Sequence, residues 1–215
     1  MDAGMKLYLA NGNLVKVAGT KLGAVGTYKH LPDFATLAAR GKVWAALDTT
    51  TNVALVARPT TVASLTVQNP AGSSTYKVLL SILGYTDVVG AGLATISVWH
   101  CIHKLPVAAL TRDLVIRGTG AGTAICFSGG REYDGDFIFD RGATVVDDGW
   151  VPVGEPIVSN IATTNFVSRE IPLRVPVILP PGQHYSLQTL ATVVTYETAL
   201  GLVWAELTAD ELADA

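Results

Sequence analysis

Between Ile171 and Leu207 the chain alternates with a period of two. Ile171, Leu173, Val175, Val177 and Leu179 are separated mostly by polar residues or proline, and Pro180-Pro181-Gly182 then breaks the run. Gln183 to Val194 resumes the alternation, and Leu200 to Leu207 closes it with Trp204 at its centre. This period places successive side chains on opposite faces, so it predicts strand, corner, strand and final strand.

The same signal recurs upstream from Val43. Strands are predicted over Lys42 to Leu47, Val53 to Ala57, Val62 to Gln68, Tyr76 to Tyr85, Leu93 to Lys104, Leu114 to Arg117 and Ala124 to Phe127. Turn chemistry separates them: Asp48 to Asn52, Arg58-Pro59, Asn69-Pro70-Ala71-Gly72, Gly90-Ala91-Gly92, Gly118 to Gly122 and Ser128-Gly129-Gly130. Glu132 to Asp148 is expected to be an acidic loop carrying Phe137-Ile138-Phe139. Pro152, Gly154 and Pro156 mark an irregular connection before Ile157. Residues 34 to 40 fit either a short helix, capped by Asp33 and stopped by Gly41, or extended chain.

About eight to ten short strands with no long helical period predict an all-β protein, a two-sheet sandwich or barrel. A jelly-roll β-sandwich with an extended N-terminal arm fits best. No repeat of solenoid or propeller length is present. The expected organisation is an arm over 1–42, one sandwich over 43–207 and an acidic tail over 208–215. In the arm, Leu14, Val15 and Val17 are the best candidates for a loosely held first strand.

Composition adds a surplus of apolar residues. Hydrophobic residues make up 49% of the 215 and charged residues 15%, with mean hydropathy +0.38, against a usual charged share of about 25%. Every apolar run is soon broken by Thr, Ser, Gly, Asn, Pro or a charge, which argues against a spanning helix. Aromatics do not fall in girdles at strand ends, which argues against a membrane barrel. Met1-Asp2-Ala3-Gly4 does not read as a secretory leader. A soluble chain with apolar area reserved for partner subunits is expected.

A net charge of −3 gives no case for nucleic acid. Charge is uneven, with Lys6, Lys16, Lys21, Lys29, Arg40 and Lys42 near the start and seven acids between residues 131 and 155. This asymmetry serves subunit docking or reflects solvated loops. Two cysteines, Cys101 and Cys126, make no disulfide framework and are expected as buried free thiols, consistent with assembly in a reducing cytoplasm.

No constellation completes a catalytic, cofactor or metal site. Gly118-Thr119-Gly120-Ala121-Gly122 puts Thr123 where a dinucleotide loop needs its third glycine, and β-like sequence follows instead of a helix. In Trp99-His100-Cys101-Ile102-His103, alternation puts Cys101 and His103 on one face and His100 on the other. With Cys126 they would make three zinc ligands at best. His184 beside Pro180-Pro181-Gly182 has no companions for a cupin-type metal site. Glu132, Asp134, Asp136 and Asp140 lack the calcium-loop spacing and the about six to eight oxygens that calcium takes. Ser128-Gly129-Gly130 lacks the start of a nucleophile elbow. Tyr133, Trp150, Tyr185 and Tyr196 sit at loops or turns, where aromatics either bind sugars or clamp the sandwich ends.

A strand pair, then Leu65-Thr66-Val67-Gln68-Asn69-Pro70-Ala71-Gly72-Ser73-Ser74, then an apolar strand, resembles a layout of virion structural proteins of tailed bacteriophages. Leu179-Pro180-Pro181-Gly182-Gln183 and Gly201-Leu202-Val203-Trp204-Ala205-Glu206-Leu207 are similar to the same group. The resemblance covers about 43–207. It implies a jelly-roll protomer of the tumour-necrosis-factor-like kind, in a capsid decoration, fibre, spike or tail component. It also implies a homo-oligomer, most simply a trimer, and brings no catalytic residues. The expectation is therefore a non-enzymatic virion subunit, assembled in the host cytoplasm and anchored to other virion proteins through residues 1–42, without nucleic acid or membrane. The alternative is a carbohydrate- or receptor-binding β-sandwich module.

Overall fold

The computed structural model describes residues 6–8, 14–16, 33–88, 92–104, 110, 114, 116–118, 123–129, 131–161, 167–192 and 196–213. Two compact units are present, Met1–Asp33 and Phe34–Ala215. In the first, strands β1 (Lys6–Tyr8) and β2 (Leu14–Lys16) pair antiparallel, with Lys6 opposite Lys16. Leu14 and Val15 thus lie in a strand, while Val17 and the rest of the expected arm up to Pro32 fall outside the described residues.

The second unit holds α1 (Asp33–Ala39) from its second residue on, then β3 (Val43–Leu47), β4 (Asn52–Val53), β5 (Leu65–Gln68), β6 (Tyr76–Val88) and β7 (Gly92–Ile102). It continues with β8 (Ile125–Cys126), β9 (Ile138–Arg141), β10 (Val151–Ile161), β11 (Val167–Leu179), β12 (His184–Ala191), β13 (Tyr196–Leu207) and α2 (Ala209–Ala213). The strands form two antiparallel sheets, a five-stranded one ordered β10-β7-β12-β5-β9 and a six-stranded one ordered β11-β6-β13-β3-β8, with β4 also paired to β13. The expected all-β sandwich is what the chain adopts.

Helix α1 resolves the choice left open over residues 34 to 40. Gly41 has φ +70°, its amide donates to Ala38 O, and the Lys42 amide donates to Leu37 O. That bond pair closes a helix through a left-handed glycine.

Alternation fills the space between the sheets. Trp44, Leu79, Ile82, Leu179, Leu202 and Trp204 point inward from one sheet and meet Leu65, Val67, Phe139, Tyr185 and Leu187 from the other. The outer face of the six-stranded sheet carries Val43, Val78, Val203 and Ala205, covered by Leu37 and Ala38 of α1 and Leu212 of α2. The outer face of the five-stranded sheet carries Cys101, covered by Ala63, Val145 and Trp150. At Gly201, β13 lies so close to β3 that a Cβ would sit 2.2 Å from Ala46 O.

Two turn signals that are far apart in sequence meet in space. Asn69 is fully buried, and its Nδ2 donates to Thr75 O at 2.9 Å and Leu179 O at 2.8 Å. The Gly182 amide donates back to Asn69 O at 2.8 Å. One side chain thereby stitches the Asn-Pro-Ala-Gly turn to the Pro-Pro-Gly turn.

Several expectations need correction. Phe137 lies in loop as expected, but Ile138 and Phe139 do not, because Ile138–Arg141 is strand β9, paired with β5. Residues Pro152 to Pro156 are not an irregular connection. They belong to β10, whose register against β7 shifts between Val153 and Ile157, and such a bulge on an edge strand absorbs prolines that a central strand would reject. The expected strand Val53 to Ala57 is reduced to Asn52–Val53 with a bridge at Leu55. The acidic tail forms α2 through Ala213.

Candidate functional site

Two clusters of buried polar side chains stand out. The first lies where β6 begins and β13 ends. Lys77 and Glu206 are direct cross-strand partners. The Lys77 side chain is wholly buried. Its Nζ donates to Thr75 Oγ1 at 2.8 Å and to Asp136 Oδ1 at 2.7 Å and lies 3.0 Å from Glu206 Oε1.

Glu206 Oε1 also accepts bonds from the Tyr133 hydroxyl at 2.5 Å and Trp204 Nε1 at 3.2 Å. Aromatic rings wall the cluster. Tyr133 meets Trp44 and Trp204 edge-on, and Phe137 meets Trp204. Burial, and then the Glu206 charge, push the Tyr133 hydroxyl up, so it stays protonated and donates. Burial alone would raise the Asp136 carboxyl, but hydrogen bonds from Lys77 and Ser73 outweigh it and hold the group below the ordinary aspartate value.

The second cluster lies on the outer face of the five-stranded sheet. His103 Nε2 is 2.8 Å from Ser186 Oγ, and His103 Nδ1 is 3.3 Å from Asp148 Oδ2. The order serine, histidine, carboxylate is that of a nucleophilic relay. Here the hydroxyl is shut in. Ser186 has no exposed surface, and Thr66 Oγ1 sits 2.9 Å from its oxygen. Ser64 and Gln188 are hydrogen-bonded beside it. No reacting carbonyl reaches this serine, so the group acts as a satisfied polar layer under the 143–150 segment. Its neighbour His184 is also buried, and neither ring nitrogen has a hydrogen-bond partner among the described residues.

These histidines make stability pH-dependent. Burial lowers the pKa of His100 and His103, and burial together with nearby His103 lowers that of His184. Each folded-state value lies below the unfolded value of about 6.5, so the unfolded chain binds more protons as pH falls. The contribution is complete above about pH 6.5 and is lost as pH drops toward the folded-state values. The urea midpoint is expected to hold above pH 7 and to decline between about pH 6.5 and 5. His184→Gln should flatten that decline; an unchanged wild-type midpoint over the interval would contradict the assignment.

The residues singled out in the sequence separate in space. Cys101 and His103 do share a face, with Sγ 3.9 Å from Nδ1, while His100 turns to Tyr185. Cys126 belongs to the inter-sheet core beside Ser128, away from the Cys101 cluster. Both thiols are buried and free. Asp134 faces Arg131 at 3.9 Å, whereas Asp136 faces Lys77. Glu132 is exposed and Asp140 is buried on β9. No group of three or more His, Cys, Asp or Glu capable of holding a metal occurs among the described residues. Gly118 has φ +90°; Gly120 and Gly122 lie outside the described residues.

The aromatic candidates for sugar binding need correction. Tyr133, Trp150, Tyr185 and Tyr196 are all buried, so none offers a ring face to a ligand. Trp150 instead donates from Nε1 to Thr60 O at 2.9 Å. No protein family, curated protein or solved structure matches the chain.

Proposed function

We propose that the chain is a non-enzymatic structural subunit of a virion, built on a jelly roll and self-associating through apolar surface left on its sandwich. The strand pairing supports the jelly-roll reading. β3 pairs with β13, β5 with β12, β6 with β11 and β7 with β10. This nested order is what rolling one long antiparallel ribbon into two sheets produces, and the β6–β13 and β7–β12 pairs close the sheets.

The observation that carries self-association is the apolar surface. Val175 is 79% exposed, Ile125 70%, Val158 66% and Phe127 57%. Beside α1, an open groove of 390 Å³ runs between Ala35, Leu80, Phe127, Pro172 and Leu173. These side chains lie on or beside the sheet-edge strands β11, β8 and β10, where a second copy of the chain can cover them. Residues 1–42 are the anchor to other virion proteins in this reading.

Light scattering at micromolar concentration tests it. A mass near three times the 22.6 kDa chain is expected; a mass of one chain would contradict self-association. Deleting residues 1–30 should leave a β-rich protein that no longer enters particles. Normal incorporation of that truncation would remove the anchor role.

A further inference from the structure

We propose that Lys77 and Asp136 are the two halves of an intramolecular amide cross-link, and that Glu206 moves a proton as it forms. This inference stands apart from the virion reading. It rests on three features found together.

The first is proximity. Lys77 Nζ and Asp136 Oδ1 are 2.7 Å apart, and the buried Lys77 stem leaves the nitrogen little freedom. Holding an amine against a carboxyl turns a bimolecular condensation into a unimolecular one, which removes much of its barrier. The second is a companion acid. Glu206 Oε1 lies 3.0 Å from the same nitrogen, oriented by the Tyr133 hydroxyl and the Trp204 indole. The third is the burial of the amine, whose side chain is wholly enclosed on the side where the rings of Tyr133, Phe137 and Trp204 pack around Glu206.

The step balances without a co-reactant. The Lys77 ammonium passes one proton along its hydrogen bond to the Asp136 carboxylate, which leaves a neutral amine beside a neutral acid. The nitrogen lone pair attacks Cγ of Asp136, and a C–N bond forms. Glu206 takes the second proton from nitrogen and delivers it to the departing hydroxyl. The C–O bond breaks and water leaves, with Glu206 returned as carboxylate. The Asp136 side chain is 37% exposed, which gives the water a way out.

The product would tie β6 of one sheet to the segment leading into β9 of the other. The cysteines make no such tie, since Cys101 and Cys126 are free and lie in separate clusters.

Intact-mass measurement of the purified full chain decides the matter. The wild type is expected to be lighter than its sequence by one water, with a peptide pair joined through Lys77 and Asp136. Asp136→Asn should expel ammonia instead and reach the same linked product. Lys77→Arg keeps the charge, cannot form the link, and should show its full sequence mass. Glu206→Gln should accumulate unlinked chain; complete linkage in that variant would overturn the role of Glu206. A wild-type chain at full sequence mass, with the Lys77 and Asp136 peptides recovered separately, would overturn the proposal without reference to any variant.

Discussion

Trp204→Ala is expected to lower the free energy of unfolding by about 3–5 kcal/mol, the usual cost of emptying a large aromatic site in a core. The indole is fully buried. Its ring centroid lies 5.5 Å from Tyr133, 5.4 Å from Phe137 and 5.4 Å from Phe139. Phe139 belongs to β9 in the opposite sheet, so the indole is packed from both layers. The neighbouring rings are rigid and cannot collapse into the space, which places the cost at the upper part of the range. A domain holds only about 5–15 kcal/mol in total, so the variant should unfold at a much lower denaturant concentration. Trp204→Phe should lose less, since it refills most of the volume and gives up the bond to Glu206. Urea unfolding followed by far-ultraviolet dichroism measures both. A loss below about 1 kcal/mol for the alanine variant would mean that these rings do not form the centre of the core.

How far the sequence foretold this arrangement depends on whether the signal was local. Inward placement of Trp204 and Glu206 follows from the alternation that runs through Leu200 and Leu202, and the stop at Gly41 follows from its place after α1. Lys77 could not be placed this way. Counting back by twos from Ile82 would turn it outward. It turns inward because Leu80 is skipped in the pairing with both neighbours, Ser81 facing Val203 and Pro172 while Leu79 faces Trp204 and Val177. A bulge set by two partner strands leaves no mark on the strand that carries it. Strand β9 was hidden for a similar reason: its few residues sit among acids, and their pairing with β5 joins distant parts of the chain. His103, Asp148 and Ser186 likewise come from three separate stretches: the β7–β12 pairing brings His103 to Ser186, and the segment ahead of β10 carries Asp148 to His103. The four aromatics near turns were legible as aromatics at the sandwich ends. Which way they faced was decided by packing.

Removing the Arg141 guanidinium as Arg141→Met is expected to cost about 3 kcal/mol, toward the low end for breaking a buried ion pair. Asp48 is 2% exposed. Arg141 grips it with two donors, Nε to Oδ2 at 2.7 Å and Nη2 to Oδ1. Asp48 lies in the turn after β3 and Arg141 ends β9, so the fork joins the two sheets across an edge of the sandwich. In the variant Asp48 keeps the Thr50 amide at 2.9 Å but loses the charge that compensated its burial. The 27% exposure of the Arg141 side chain means that water already screens part of the pair, which argues for the low end. The cost arises mainly from the carboxylate left behind, so the partner change should relieve it. Asp48→Asn combined with Arg141→Met is expected to be more stable than Arg141→Met alone. A double-mutant cycle in urea reads the coupling directly. If the double variant lost as much as the two single variants added together, Asp48 and Arg141 would be acting independently, and the clamp between the sheets would have to lie elsewhere.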